Sequence, residues 1–195
     1  MGTAVFNSTA PTLATGGTIQ EQADSAGSIY SNNEGRKASY RAVTSGVVVT
    51  ANGVLLQVIG SATKTVRITR IACNGILTTA AMVQIQVQRT TAAASSVSGA
   101  VAITPSKLDT AMAAATAVPT SYTAATLGTG NTLLATARAL YAPATALSTG
   151  VEFLFGNRNA QSLVLRGVAE WAQVTVATSS YTGALFDIDV EFTEE

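Results

Sequence analysis

Residues 184–195 read ALFDIDVEFTEE, and this stretch decides the fold class. Apolar side chains take every second position, and acidic side chains take the positions between them. The apolar set is Phe186, Ile188, Val190 and Phe192, and the acidic set is Asp187, Asp189 and Glu191. Because successive side chains of a β-strand point to opposite faces, the pattern predicts a strand that buries the apolar set and leaves the acidic set outside.

Upstream of this stretch, the same alternation recurs in short runs separated by Gly, Asn, Ser and Thr. It is clearest in MVQIQVQR at 82–89, where valine and isoleucine alternate with glutamine. Roughly nine such strands within 39–193 predict an all-β fold, an antiparallel two-sheet sandwich that is jelly-roll-like, with its first and last strands side by side. The pair Asn52-Gly53 between two apolar runs predicts a β-hairpin.

Two segments show neither the two-residue period of a strand nor the 3.6-residue period of a helix. Residues 1–38 are rich in Thr, Ser, Ala, Gly and Asn, which predicts an extended N-terminal arm in front of a β-sandwich domain at 39–195. The arm has too little apolar area to order itself, so its larger apolar side chains are expected to anchor in a groove supplied by neighbours. These anchors are Val5, Phe6, Leu13, Ile19, Ile29 and Tyr30.

Residues 91–131 are expected to form a long excursion between strands, with one helical turn at 107–114.

The charge is balanced overall but segregated along the chain. There are 11 basic and 11 acidic residues, and charged residues are far scarcer than the roughly 25% of an average globular protein. Residues 35–106 contain Lys and Arg but no Asp or Glu, whereas acidic residues dominate after residue 150. We expect the two groups to pair, within the fold or between subunits, with Arg67 against Asp187 and Asp189. A surface this poor in charge favours assembly with other protein surfaces.

The residues that catalysis or metal binding would need are scarce. Histidine is absent and Cys73 is the single cysteine, which excludes Ser-His-Asp and Cys-His nucleophile systems and cysteine-rich zinc sites. Asp187 and Asp189, on one strand face, could form a catalytic carboxylate pair or a Ca²⁺ site. A solvated, salt-bridged sheet face explains them better. We therefore expect no enzymatic activity, no cofactor and no metal.

Nucleic acid and membranes are not expected as partners. The net charge is zero and the basic residues are well spaced, unlike the dense basic stripe of a nucleic-acid binder. No apolar run approaches the ~18 residues of a membrane helix. The opening MGTAVFNSTAPTLATGG lacks the basic and apolar regions of a secretory signal. A soluble protein made in the cytoplasm is the expectation.

Four segments resemble small structural proteins of tailed bacteriophages. They are GSATKTVRITRIACNG at 60–75, VQIQVQRTTAAAS at 83–95, VEFLFGNRNAQSLVLRGVAEWAQV at 151–174 and LFDIDVEFTEE at 185–195. The resemblance is one of overall pattern across about residues 45–195 and contains no catalytic motif. It implies a virion β-sandwich, a homotrimer, attached to the capsid as a decoration (cement) protein with the major capsid protein as its partner.

The expected function is therefore that of a virion structural protein that binds and stabilises the capsid surface. One alternative is a head-fibre, tail or receptor-binding component of the virion that recognises host glycan. Another is a carbohydrate-binding or hydrolytic jelly roll outside a virion. A glycan binder would need exposed aromatic side chains clustered at a loop edge. Trp171 and the five tyrosines are scattered in the sequence and fit a core or a subunit contact better.

Overall fold

The computed structural model describes residues 37–49, 53–144, 148–156, 161–177 and 183–195. Within these residues the chain forms strands only, and their bounds are β1 Ala38–Val49, β2 Gly53–Ile59, β3 Thr65–Ile76, β4 Ala81–Thr90, β5 Ser95–Ser98, β6 Val101–Ala102, β7 Ser106–Lys107, β8 Thr120–Ser121, β9 Ala124–Thr126, β10 Thr132–Tyr141, β11 Val151–Leu154, β12 Leu163–Arg166, β13 Trp171–Val176 and β14 Ala184–Glu194. The predicted all-β class is confirmed.

The longer strands form two antiparallel sheets of a sandwich. Sheet I has the order β11-β3-β14-β1-β7, with β12 also paired to β3, and sheet II has the order β10-β4-β13-β2-β8-β6. The chain crosses between the two sheets after β1, β2, β3, β6, β7, β10, β12 and β13. The first and last long strands, β1 and β14, pair over their length in sheet I. This is the jelly-roll-like arrangement that the strand pattern predicted.

The core lies between the two sheets, where the apolar set of β14 is buried. Phe186, Ile188, Val190 and Phe192 are each at most 1% exposed, so the predicted inward face is confirmed. Aromatic rings extend this core, because Tyr40 stacks on Phe192 and the Tyr141 ring meets Phe186 edge to face, both at 5.4 Å between centroids.

A buried polar contact fixes Tyr141 inside the sandwich. Its hydroxyl donates to the main-chain carbonyl of Cys73 at 3.0 Å, so the ring is held against β3 with its polar atom satisfied. Burial raises the pKa of the Cys73 thiol to about 12. The single cysteine is thus a small core residue.

Two local predictions are wrong. The run before Asn52-Gly53 and the run after it do not form a hairpin, because β1 belongs to sheet I and β2 to sheet II. Residues 50–52 lie outside the described residues. The expected helical turn at 107–114 is a strand end followed by a tight turn, closed by a hydrogen bond from the Met112 N–H to the Asp109 carbonyl at 3.2 Å.

Two parts of the excursion at 91–131, around Ala94 and Gly128, are held against sheet II by glutamine side chains. The Gln57 and Gln173 carbonyl oxygens accept from the main-chain N–H groups of Ala94 at 2.7 Å and Gly128 at 3.0 Å. The Gln173 amide also donates to Gln57 Oε1 at 3.0 Å and to the Ala92 carbonyl at 3.3 Å. These two side-chain amides therefore supply hydrogen-bond partners for main-chain groups of the excursion that no strand ladder satisfies.

Candidate assembly surface

The outer face of sheet I carries a cluster of charges that we call the charged seam, formed by Arg41 of β1, Arg70 of β3, Glu152 of β11, and Asp189 and Glu191 of β14. Strand register brings these residues together. Glu191 lies opposite Arg41 on one side and Arg70 on the other. Asp189 lies one pleat further along the same face of β14. The alternation of β14 therefore aims its acidic side chains at arginines from both neighbouring strands.

Asp189 is the centre of the charged seam. Its carboxylate accepts from Arg70 Nη1 at 2.7 Å and from Arg41 Nε at 2.9 Å. Arg70 also donates to Glu191 at 3.2 Å and pairs with Glu152. Burial alone would raise the pKa of Asp189, but hydrogen bonds from Arg41 and Arg70 outweigh it and hold that pKa below its ordinary value. Every charge of the seam is thus already partnered on the isolated chain.

An apolar row lies on the same outer face, toward the other end of the strands. We define it as Val48, Leu185 and Ile76, which occupy matching positions on β1, β14 and β3. Val48 is 45% exposed and Leu185 is 38% exposed. Val43, beside Asp189, is 55% exposed. Sheet I therefore presents apolar side chains next to neutralised charges, which is the composition of a protein-binding surface with a polar rim.

Glu194 is a buried carboxylate that the sequence pattern did not lead us to predict. It accepts from the main-chain N–H of Thr116 at 2.8 Å and of Ala117 at 2.7 Å, and from Lys64 Nζ at 3.1 Å. Burial alone would raise its pKa, but these hydrogen bonds outweigh burial and lower the pKa. Glu194 shares the even-numbered, inward side of β14 with Phe192, and that parity is the signal that could have revealed it.

The predicted pairing of Arg67 with Asp187 and Asp189 is wrong in its partners. Antiparallel register places Arg67 opposite Thr193, so it lies roughly 20 Å along the strand from Asp187. Arg67 pairs instead with Glu195. Asp187 accepts from the main-chain N–H of Gly46 at 2.9 Å. Basic residues of 35–106 do meet the acidic C-terminal strand, but register selects the pairs.

Gly46 explains the position of Asp187. It lies in a bulge of β1, between Thr44 and Val47, where the register against β14 shifts. Its φ is +66°, in the left-handed region that side chains disfavour. The bulge turns the Gly46 N–H toward Asp187, which satisfies a main-chain donor that the ladder no longer uses.

The remaining sequence candidates are the arm anchors, the aromatic side chains and the carboxylates that could hold a metal. The six arm anchors lie outside the described residues. Tyr40, Tyr122 and Tyr141 are buried and Trp171 is half-buried, so the described part of the chain shows no exposed aromatic cluster. It also holds no group of three His, Cys, Asp or Glu side chains placed to bind a metal.

A shallow pocket of about 350 Å³ lies at the side of the sandwich. Arg89, Arg166, Gln161 and Ser162 supply its polar lining. Arg89 is already paired with Glu170 at 3.8 Å, which reduces the positive charge available to a ligand.

Comparison with known proteins gives no relative: no family model, curated protein or solved structure matches this chain. Across the described residues, no helix has the length and apolar character that a membrane crossing requires. The function must therefore be inferred from the charged seam, the apolar row and the sequence pattern.

Proposed function

We propose that this chain is a bacteriophage virion structural protein that decorates the capsid and stabilises it by adhesion. The observation that carries the proposal is the outer face of sheet I, which presents the apolar row and, further along the same strands, the fully partnered charged seam. The resemblance of the sequence to structural proteins of tailed bacteriophages supports the virion as its setting. The major capsid protein is the proposed partner.

The physical argument concerns the cost of covering this face. Burying an unpaired charge is expensive, whereas Asp189 keeps its two arginine partners when another surface covers it. Val48 and Leu185 gain hydrophobic free energy when covered, at roughly 25 cal/mol per Å² of apolar area. A face of this kind can adhere to another protein without rearrangement, as a cement protein must.

Substitution on this face tests the adhesive role. We expect Leu185→Lys to weaken binding to capsids of the phage that encodes this chain, because a lysine would have to be desolvated in the contact. Val168→Lys is the matched control, since Val168 is also exposed, at 53%, but lies in the turn between β12 and β13. Cosedimentation with capsids measures both. Equal binding by the two variants would place the adhesive surface elsewhere.

Copy number per particle separates decoration from the alternative role in a head fibre or tail. A decoration protein should approach the copy number of the major capsid protein, while a tail or receptor-binding component should be rare. Quantitative mass spectrometry of purified virions measures this ratio directly. No exposed aromatic cluster among the described residues favours glycan recognition, so decoration is the function we put forward.

The resemblance also implies a homotrimer, and we propose that residues 1–38 act as a clamp on neighbouring subunits or capsid. The unit Lys37–Glu195 has its own core, so removing residues 1–36 should preserve the β signal in circular dichroism. We expect the truncated chain to bind capsids more weakly than the full chain. If it binds equally well, the clamp hypothesis is wrong and sheet I alone carries the attachment.

A further inference from the structure

The pocket at the side of the sandwich, which we call the side pocket, gathers four polar side chains. It is lined by residues of β4 and β10 in sheet II and by residues of and around β12 in sheet I. The polar side chains are those of Arg89, Gln161, Ser162 and Arg166. The volume of about 350 Å³ falls within the roughly 300–1,000 Å³ of ligand clefts. The side pocket is therefore large enough for a few residues of a peptide.

Arg89 reaches the side pocket from an inward position of β4. It follows Val83, Ile85 and Val87 on the same strand face, and those three side chains belong to the core. Arg89 lies opposite Ala172 of β13, which is also a core residue. Its own side chain is 38% exposed. Because an arginine is costly to bury without partners, its place on this face marks where the core opens to solvent.

The side pocket holds hydrogen-bond donors that the chain itself does not use. Glu170 pairs with Arg89 at 3.8 Å, which is longer than a hydrogen bond. Within the described ranges, the side chains of Arg166, Gln161 and Ser162 have no hydrogen-bond partner. The charged seam is the opposite case, because its charges are already partnered. Open donors that converge on one pocket indicate a ligand that accepts hydrogen bonds.

The charge of the side pocket favours a ligand with a single negative charge. Arg89 and Arg166 carry two positive charges, and Glu170 beside them carries one negative charge. The Glu170 carboxylate accepts from the main-chain N–H of Arg166 at 2.7 Å, so it is held there while the Arg166 guanidinium stays open. One net positive charge matches a carboxylate better than a doubly charged phosphate. A guanidinium also matches the two oxygens of a carboxylate in geometry.

Apolar side chains adjoin the two arginines. Leu134, Phe155 and Leu163 also line the side pocket, and Leu134 is 40% exposed. In an extended peptide, residues two positions apart share a face and lie roughly 7 Å from each other. An acidic residue and an apolar residue at this spacing can therefore enter the side pocket together.

The same lining argues against a sugar. A sugar donates through several hydroxyl groups and needs acceptors, whereas the two arginines can only donate. Gln161 and Ser162 are the lining side chains that can also accept. An acidic peptide needs few acceptors, so it fits this set of groups better.

We propose that the side pocket binds an acidic peptide segment of a partner protein. An aspartate or glutamate carboxylate of the segment accepts from Arg89 and Arg166, and an apolar residue two positions away covers Leu134. Gln161 and Ser162 bond to the remaining polar groups of the segment. The site does not depend on the proposed capsid role, because it concerns the side pocket and a peptide alone.

Peptide titration of the full chain tests the site. The probe is the capped pentapeptide acetyl-LAEAL-amide, and acetyl-LAQAL-amide is its neutral control. We expect saturable binding of the acidic probe in a titration followed by NMR, with shifts at the main-chain amide of Ser162 and the Nε–H groups of Arg89 and Arg166. The neutral peptide should bind about tenfold more weakly or worse, since it loses a charge-assisted hydrogen bond.

Three variants locate the carboxylate. Arg89→Gln and Arg166→Gln should each weaken binding of the acidic probe about tenfold. Arg138→Gln is the matched control, because Arg138 is exposed and open within the described residues but does not line the side pocket. It should bind like the wild type. Thermal melting confirms that each variant is folded.

Glu170→Gln should tighten binding of the acidic probe about threefold. The substitution removes a negative charge beside Arg89 and keeps an oxygen that can accept from the Arg166 N–H. Loss of folding cannot produce a gain in affinity, so this variant separates a direct effect from a structural one.

Several outcomes would overturn the proposal. They are equal binding of the two peptides, equal affinities of Arg166→Gln and Arg138→Gln, and unchanged or weaker binding by Glu170→Gln. Tighter binding of glucuronate than of the acidic probe would identify an acidic sugar as the ligand instead. Acetate binding as tightly as the probe would mean an adventitious anion site only, without a peptide contact at Leu134.

Discussion

The main-chain N–H of Ala117 donates to Glu194 Oε1 at 2.7 Å, and the Glu194 side chain is completely buried. This bond fastens the middle of the excursion to β14, the last strand of the chain. Lys64 and Thr116 supply the remaining partners of the carboxylate. One acidic side chain therefore joins residues 116–117 to the end of β14 and pairs with the half-buried Lys64 at the same place.

Replacing Glu194 should loosen this attachment. Glu194→Gln keeps the size of the side chain but loses the charge and turns one acceptor into a donor, so we expect a loss of about 2 kcal/mol in the free energy of unfolding. Urea denaturation measures the loss. Glu152→Gln is the matched control, because the Glu152 side chain is 49% exposed, and its effect should be much smaller. Equal effects would show that the Glu194 contacts contribute little.

Acid should weaken the fold through Glu194 and Asp189. Both carboxyl groups have folded-state pKa values below their ordinary values. A carboxyl group whose pKa is lower in the folded state stabilises the fold at pH values above its ordinary pKa. This stabilisation is lost as the pH falls through the folded-state pKa. We expect the melting temperature to fall as pH drops below 4.5, the ordinary pKa of Glu194. The fall should be shallower in Glu194→Gln. Parallel curves for the two proteins would contradict a role for Glu194 in this dependence.

Substitutions on the inward face of β14 should destabilise the fold, whereas substitutions on its outward face should change the thermal stability little. Ile188 is 1% exposed, and Ile188→Asp would bury an unpaired charge, so we expect no cooperative thermal unfolding. Asp187→Asn changes the adjacent residue, which lies on the outward face, and should leave the melting curve nearly unchanged. A native-like melt of Ile188→Asp, followed by circular dichroism, would mean that the faces of β14 are reversed.

A double-mutant cycle should locate the coupling within the charged seam. Arg70→Gln and Asp189→Asn remove two groups joined at 2.7 Å, and we expect a coupling free energy of about 1 kcal/mol. Arg67→Gln with Asp189→Asn is the control cycle, because Arg67 pairs with Glu195 instead, and its coupling should be near zero. Urea midpoints of all the variants give both values. Similar couplings in the two cycles would favour a diffuse charge effect over the specific pair.

The glutamine contacts should hold the excursion on sheet II. Gln173→Leu leaves the Gly128 N–H without its acceptor at a buried position. We therefore expect a loss of about 2 kcal/mol in the free energy of unfolding. Faster hydrogen exchange at Gly128 should accompany the loss. Gln86→Leu, on the neighbouring strand β4, is the comparison that should leave this amide protected. Unchanged exchange at Gly128 would mean that other contacts keep the excursion in place.

Strand faces were predictable because a period of two depends on local chain geometry alone. The inward positions of β14 follow from that period. The partners of each strand were not predictable in the same way. Asn52-Gly53 carries a local turn signal, yet the strands on either side enter different sheets. Dipeptide propensity acts over a few residues, whereas sheet membership depends on the packing of the whole sandwich.

The sequence by itself determined the all-β class, the inward face of the last strand and the meeting of a basic segment with an acidic one. Only the tertiary structure decided that Asp189 pairs with Arg41 and Arg70, that Arg67 pairs with Glu195, and that Glu194 fastens the excursion. The physical reason is register. Bulges in β1 and in the β14–β3 pairing shift which residues lie opposite one another, and a shift of one residue changes every cross-strand pair beyond it.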